Sequence, residues 1–144
     1  MSPARHAALA QRITASVHRC GPAAYEVAIE GAMLAGSHWM NAALHAAGIS
    51  GEDHDAMHSE FLTLGERRRI ELTLPGLITL LDAIEEMRAP YVRGAAPAGE
   101  DAAREALAHL ERLATIARDA MSRTKTISHE EGARGGRDGS GIER

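Results

Sequence analysis

Ala23 to Ala47, AAYEVAIEGAMLAGSHWMNAALHAA, decides how this chain folds. The stretch holds no Lys or Arg, and its only carboxylates are Glu26 and Glu30. Alanine, leucine and methionine lose little side-chain freedom in a helix, and Val27 and Ile29 are the only β-branched residues here. The segment therefore predicts one helix, roughly 37 Å long at about 1.5 Å per residue. Val27, Ile29, Met33, Leu34, Trp39, Met40 and Leu44 spread around its circumference, which marks a central helix touched on several sides. Ala28, Gly31, Ala32, Ala35, Gly36, Ala42, Ala43 and Ala46 let neighbouring helices come close. Gly21-Pro22 stops whatever precedes it, and Gly48 suits the residue just past its end.

Outward from that helix the pattern stays helical. Ala4 to His18 carries Leu9, Ile13 and Val17 on one face, with Ser2 as N-cap and Pro3 in the first turn. After the turn Ser50-Gly51-Glu52-Asp53, a third helix is expected over Asp53 to Leu64, resuming from Glu66 to Leu72. Thr73 is expected to cap a fourth helix, with Pro75 in its first turn and a stripe of Leu77, Leu80, Leu81, Ile84 and Met87. That helix should stop near Arg88, because Ala89 precedes Pro90. Beyond the Gly94 to Gly99 loop, Glu100 and Asp101 open a last helix striped by Ala103, Leu107, Leu110, Ala114, Ala117 and Met121. The expected architecture is all-α: an up-and-down bundle of four to five helices over residues 1–123. From Thr124 to Arg144, glycine alternates with polar residues and cannot offset its ordering entropy. A disordered tail is expected there, and its removal should leave the melting temperature nearly unchanged.

Composition narrows the function classes. Cys20 is the single cysteine, which excludes an internal disulfide or a thiolate cluster within one chain. A net charge of −4 gives no general push toward nucleic acid or an anionic membrane. Arg5, Arg12 and Arg19 interrupt the N-terminal stretch, so no signal peptide is read there. No apolar run reaches the roughly 18 residues of a membrane span. Arg5 to Ile13 could lie on a membrane surface, but its narrow stripe is needed by the bundle. The expected setting is cytoplasmic.

The side chains that could carry chemistry are few. His38 and His45 are seven residues apart, hence on one face, and His54 and His58 form an i, i+4 pair. With Asp55 these could gather two or three metal ligands. Neither a Glu-x-x-His pair nor His-Glu-x-x-His occurs, so solvated or capping histidines are the plainer reading, with no cofactor. Arg67-Arg68-Arg69 could meet phosphate, but Glu66 and Glu71 flank it, and a solvated face with local ion pairs is expected. Cys20 has no base beside it. Neither a Gly-rich phosphate loop nor G-x-S-x-G is present.

The order of features resembles the HEPN family. Ala35-Gly36-Ser37-His38-Trp39-Met40-Asn41-Ala42-Ala43-Leu44, then Ala47-Gly48-Ile49, is similar to its long second helix and glycine turn. Asp53-His54 or Met57-His58-Ser59-Glu60-Phe61 looks like the histidine that often follows. Ile84-Glu85-Glu86-Met87-Arg88, Tyr91 and Glu100 to Leu107 resemble the closing elements. The resemblance implies a dimerising bundle, with a partner such as a nucleotidyltransferase, and in many members a ribonuclease site of Arg, a polar residue and a nearby His. Arg88 falls in the expected place, but Ala89 follows it and no His lies between Pro90 and Ala108. Tyr91 is a poor proton donor near neutrality. Arg104 and His109 have the spacing, but inside one helix, where a five-residue offset separates them by roughly 140°. The expectation is a non-catalytic HEPN-like homodimer recognising protein or nucleic acid, RNA among them, with Trp39 and Met40 near the contact between copies. The alternatives are a ribonuclease with displaced residues and a metal-binding bundle built on the histidines.

Overall fold

Five α-helices form the molecule in the computed structural model, which describes residues 1–135, with side chains described through Thr124. The first, α1 (Pro3–Cys20), starts as its sequence predicts: the Ser2 hydroxyl accepts from the Arg5 N–H and Pro3 occupies the first turn. Gly21, at φ 72°, turns the chain into α2 (Tyr25–Ala46). Gly48, at φ 64°, closes that helix, and the Ile49 N–H bonds back to the Leu44 carbonyl.

Then come α3 (Leu64–Thr73), α4 (Leu77–Arg88) and α5 (Glu100–Gly135). His6 meets His38 and His45, so α1 runs antiparallel to α2. Arg88 meets Glu30, so α4 does too. Thr124 meets Ala46 and Gly99 packs on Tyr25, so α5 runs parallel to α2. The result is an up-and-down bundle with α2 packed against α1, α4 and α5. No strand occurs among the described residues, and no described helix is long and apolar enough to cross a membrane.

Close approach explains the small residues of α2. A Cβ on Gly31 would lie 2.3 Å from Val17 Cγ2, and one on Gly36 would lie 2.9 Å from Leu81 Cδ1. Ala28, Ala32, Ala35, Ala42 and Ala43 are fully buried, as are Ala103, Ala106, Leu110, Leu113 and Ala117 on α5, which packs against α2. Leu81 and Leu110 both lie fully inside, each on the stripe expected of it. Leu81→Ala and Leu110→Ala should each cost about 2 kcal/mol or more in urea denaturation. A cost under about 0.5 kcal/mol at both, the size of a surface change, would show the buried faces to be misassigned.

Several expectations need correction. No helix covers Asp53 to His58; the chain passes from Ala47 to Thr63 as a loop with one 3₁₀ turn at Ser59–Phe61. The third helix begins instead at a capping box, where the Thr63 hydroxyl accepts from Glu66 N–H while Glu66 Oε2 accepts from Thr63 N–H at 2.7 Å. Thr73 ends α3 rather than capping α4. Leu74 is driven out of helical geometry by Pro75, and Gly76, at φ 81°, starts α4. The fourth helix does end at Arg88, as its sequence predicts, and the chain then makes one wide π turn, Ala89–Arg93, because Pro90 has no N–H for the regular ladder.

Trp39 and Met40 are not at a surface. They are 1 % and 0 % exposed, enclosed by this chain alone, so they cannot form the centre of a contact between copies. The expected tail falls on residues 124–135, whose backbone continues α5 and whose first residue, Thr124, donates to the Ala46 carbonyl, and on residues 136–144, which lie outside the described residues.

Candidate metal centre

At the end of the bundle where α1 starts and α2 finishes, two histidines, His6 and His45, converge on the Asp55 carboxylate, and a third, His38, adjoins them through His6. His6 projects from the first turn and a half of α1, and His38 and His45 from positions about two turns apart on one α2 face. The His6 ring lies 5.3 Å, centroid to centroid, from both His38 and His45. Asp55, on the loop after α2, supplies the carboxylate. Its Oδ1 accepts from His6 Nε2 at 3.0 Å and from His45 Nε2 at 2.9 Å. The Met1 ammonium lies 3.4 Å from the same oxygen and also donates to the Glu52 carbonyl.

The loop is fixed by α2 and α4. Asn41 Nδ2 donates to the Ala56 carbonyl at 2.8 Å, and its Oδ1 accepts from the Ala56 N–H at 2.9 Å. Ser37 Oγ donates to the Met57 carbonyl at 2.7 Å. Farther along, the Ser59 hydroxyl sits between Asp82 Oδ1 and Glu85 Oε2, at 2.5 and 2.7 Å, and donates to one of them at a time. Arg67 reaches Asp82 at 2.9 Å and the Ser59 carbonyl at 2.8 Å. Arg67 therefore ties the loop to α4, which corrects the expectation of purely local pairs. Glu66 caps its own helix, and Glu71 accepts from Gly76 N–H.

Burial and charge set the protonation of the cluster. Burial lowers the pKa of His6, against the hydrogen bond and charge of Asp55, which raise it. Burial, then the charges of His6 and Arg12, lower His38, with Asp55 opposing. Burial would raise Asp55, but hydrogen bonds from His45 and His6 outweigh it and hold the carboxyl down to about 2. Near neutral pH the site therefore presents neutral imidazoles from His6 and His38 and an ionised carboxylate, the states a metal ion requires.

Of the histidines expected to matter, His38 and His45 join the cluster: His45 is buried, and His38 is half-buried with its Nδ1 on His6. His54 stands exposed beside Asp53, 3.0 Å away. His58 pairs with Glu85 at 3.2 Å. His6, absent from the sequence reading, takes their place.

The ribonuclease candidates do not assemble. Arg88 makes a two-point contact with Glu30, at 2.7 and 2.9 Å. His58 and Arg88 both lie near Glu85, but no hydrogen bond or ion pair among the described residues joins them. Tyr91 is half-buried against the core in the π turn. Arg104 pairs with Asp101 and Glu100 at the exposed start of α5. His109 faces Glu105 through Nε2, and its Nδ1 is buried without a partner. Cys20 is exposed. No family model, curated protein or solved structure matches this chain.

Proposed function

We propose that the chain is a divalent transition-metal-binding helical bundle, with His6 Nε2, His45 Nε2 and Asp55 Oδ1 as the protein ligands. The observation that supports it is their convergence: all three donor atoms lie within 4.8 Å of one another. Around a four-coordinate zinc with bonds of about 2.0–2.1 Å, neighbouring ligand atoms stand about 3.3 Å apart. The two separations from Asp55 Oδ1, 3.0 and 2.9 Å, need to open only slightly. Two imidazoles and one carboxylate suit zinc, iron or nickel rather than the hard, all-oxygen sites of calcium. Three protein ligands leave a position for water or a small anion, and Asp55, with a third of its side chain exposed, gives the route in.

The dimer expectation began from the many apolar faces of α2. One chain already covers nearly all of them, leaving Val27 and Leu34 outside. The metal reading needs no second copy, and it makes the molecule a binding module at a minimum.

Untagged protein stripped with a chelator and titrated with zinc should take up one ion per chain. His6→Gln and His45→Gln should abolish that uptake, whereas His54→Gln and His58→Gln should not alter it. An absence of zinc, nickel and ferrous iron binding by the folded wild type, or uptake unaffected by His6→Gln and His45→Gln, overturns the proposal.

A further inference from the structure

Resting on the metal reading, we infer that His38 is the positioning residue of this centre: it accepts the Nδ1–H of His6 and so holds His6 in the tautomer whose Nε2 lone pair faces the metal. A neutral imidazole carries one proton, so a histidine that ligates through Nε2 must carry it on Nδ1. His6 is 1 % exposed, so that N–H has no access to water and needs a protein acceptor. The atom in that place is His38 Nδ1, 3.0 Å away. Carboxylates and backbone carbonyls usually fill this role, and both can only accept.

An imidazole differs because it can serve both states of the site. Without metal, His6 Nε2 carries the proton that it donates to Asp55, its Nδ1 is an acceptor, and His38 Nδ1–H donates to it. With metal the direction reverses. His6 gives up its Nε2 proton to water and receives the Nδ1 proton of His38, and His38 takes a proton from water at Nε2. One proton leaves the pair and one enters, so both rings stay neutral. His38 Nε2 has no protein partner among the described residues and is not buried, so water can deliver that proton. Ser50 provides the same two-way service to His45: its hydroxyl at 3.0 Å can donate to Nδ1, and its carbonyl at 3.3 Å can accept from it. Each ligating histidine thus stands against a partner that satisfies it with or without the ion, and loading the site orphans no buried donor.

The test uses the full, untagged chain with zinc. His38→Phe keeps a ring of similar shape and removes the acceptor, whereas His38→Asn restores a side-chain oxygen that can accept. Zinc affinity should fall about 10- to 100-fold in His38→Phe and recover most of that loss in His38→Asn. Nitrogen-15 spectra of zinc-loaded, histidine-labelled wild type should show His6 protonated at Nδ1, with a slowly exchanging proton that disappears in His38→Phe. A space-filling role would leave that signal in place and would not distinguish phenylalanine from asparagine in this direction. Zinc binding in His38→Phe within about twofold of wild type overturns the inference while leaving the metal site standing. Should His38→Phe fail to fold, the wild-type spectrum still decides: His6 protonated at Nε2 with zinc bound overturns it. A wild type that binds no metal overturns the metal reading itself and this inference with it.

Discussion

Trp39→Ala should destabilise the protein by about 3–5 kcal/mol and leave its mass in solution unchanged. The indole is the largest fully buried side chain, 1 % exposed, between α1 and α5. It shares a recess with Gln11 and Thr14 on one side and Leu110 and Ala114 on the other. Of its neighbours there, Ala15 and Ala114 have no rotamers through which to move into a void. The cavity therefore stays open and its cost is added to the lost transfer energy. The Arg118 guanidinium covers the ring at 5.1 Å from its centroid. Arg118 is exposed, so Arg118→Ala should cost only about 0.5–1 kcal/mol. Urea midpoints measure the first effect and light scattering the second. A Trp39→Ala cost under about 1 kcal/mol together with a change in mass would return Trp39 to an interface.

The helices were legible where local chemistry alone determines them. The Ala23 to Ala47 stretch reads as α2 because its composition, its glycine stop and its freedom from Lys and Arg agree. The 3.6-residue stripe Leu77, Leu80, Leu81 and Ile84 reads as α4 and is buried throughout. The segment Ala47 to Thr63 was not legible, because its conformation is set by side chains distant in sequence: Asn41, Ser37, Asp82 and Glu85. The Thr63-x-x-Glu66 capping box was present all along and marks the true start of α3. The histidine cluster was half legible. Seven-residue spacing puts His38 and His45 on one face, and Asp55 was among the acids that could join them. His6 lies outside the stripe of Leu9, Ile13 and Val17 from which the first helix is read. Its signal was periodic: His6, Ala10, Ile13 and Val17 fall at i, i+4, i+7 and i+11, and Ala10 and Val17 are core. Which residues of α1 approach the end of α2 depends on the antiparallel pairing of the two helices, and that register is a tertiary fact.

Asn41→Leu should release the Asp55 loop, costing about 2–4 kcal/mol and weakening zinc binding about 10- to 100-fold. Asn41 is buried and its amide makes three hydrogen bonds: to the Ser37 carbonyl at 2.9 Å and to both backbone groups of Ala56. Leucine is close to asparagine in shape and adds apolar surface, so the packing around α2 survives. What is lost is the partner of the Ala56 N–H and C=O, each of which costs about 1–3 kcal/mol if left dry. Ala56 is half-buried, so the loop can lift into water instead of holding two orphaned groups. The damage should then appear as local opening: amide exchange over residues 48–58 should accelerate far more than in the middle of α2 or α5. Asp55 directly precedes Ala56, so the same lift withdraws the carboxylate from His6 and His45 and removes one metal ligand from its place. Ser37→Ala, which loses the single bond to Met57, should show the same pattern at about 1 kcal/mol. Unchanged exchange over residues 48–58 with unchanged zinc affinity in Asn41→Leu would show that the Ser59 contacts to Asp82 and Glu85 hold the loop by themselves.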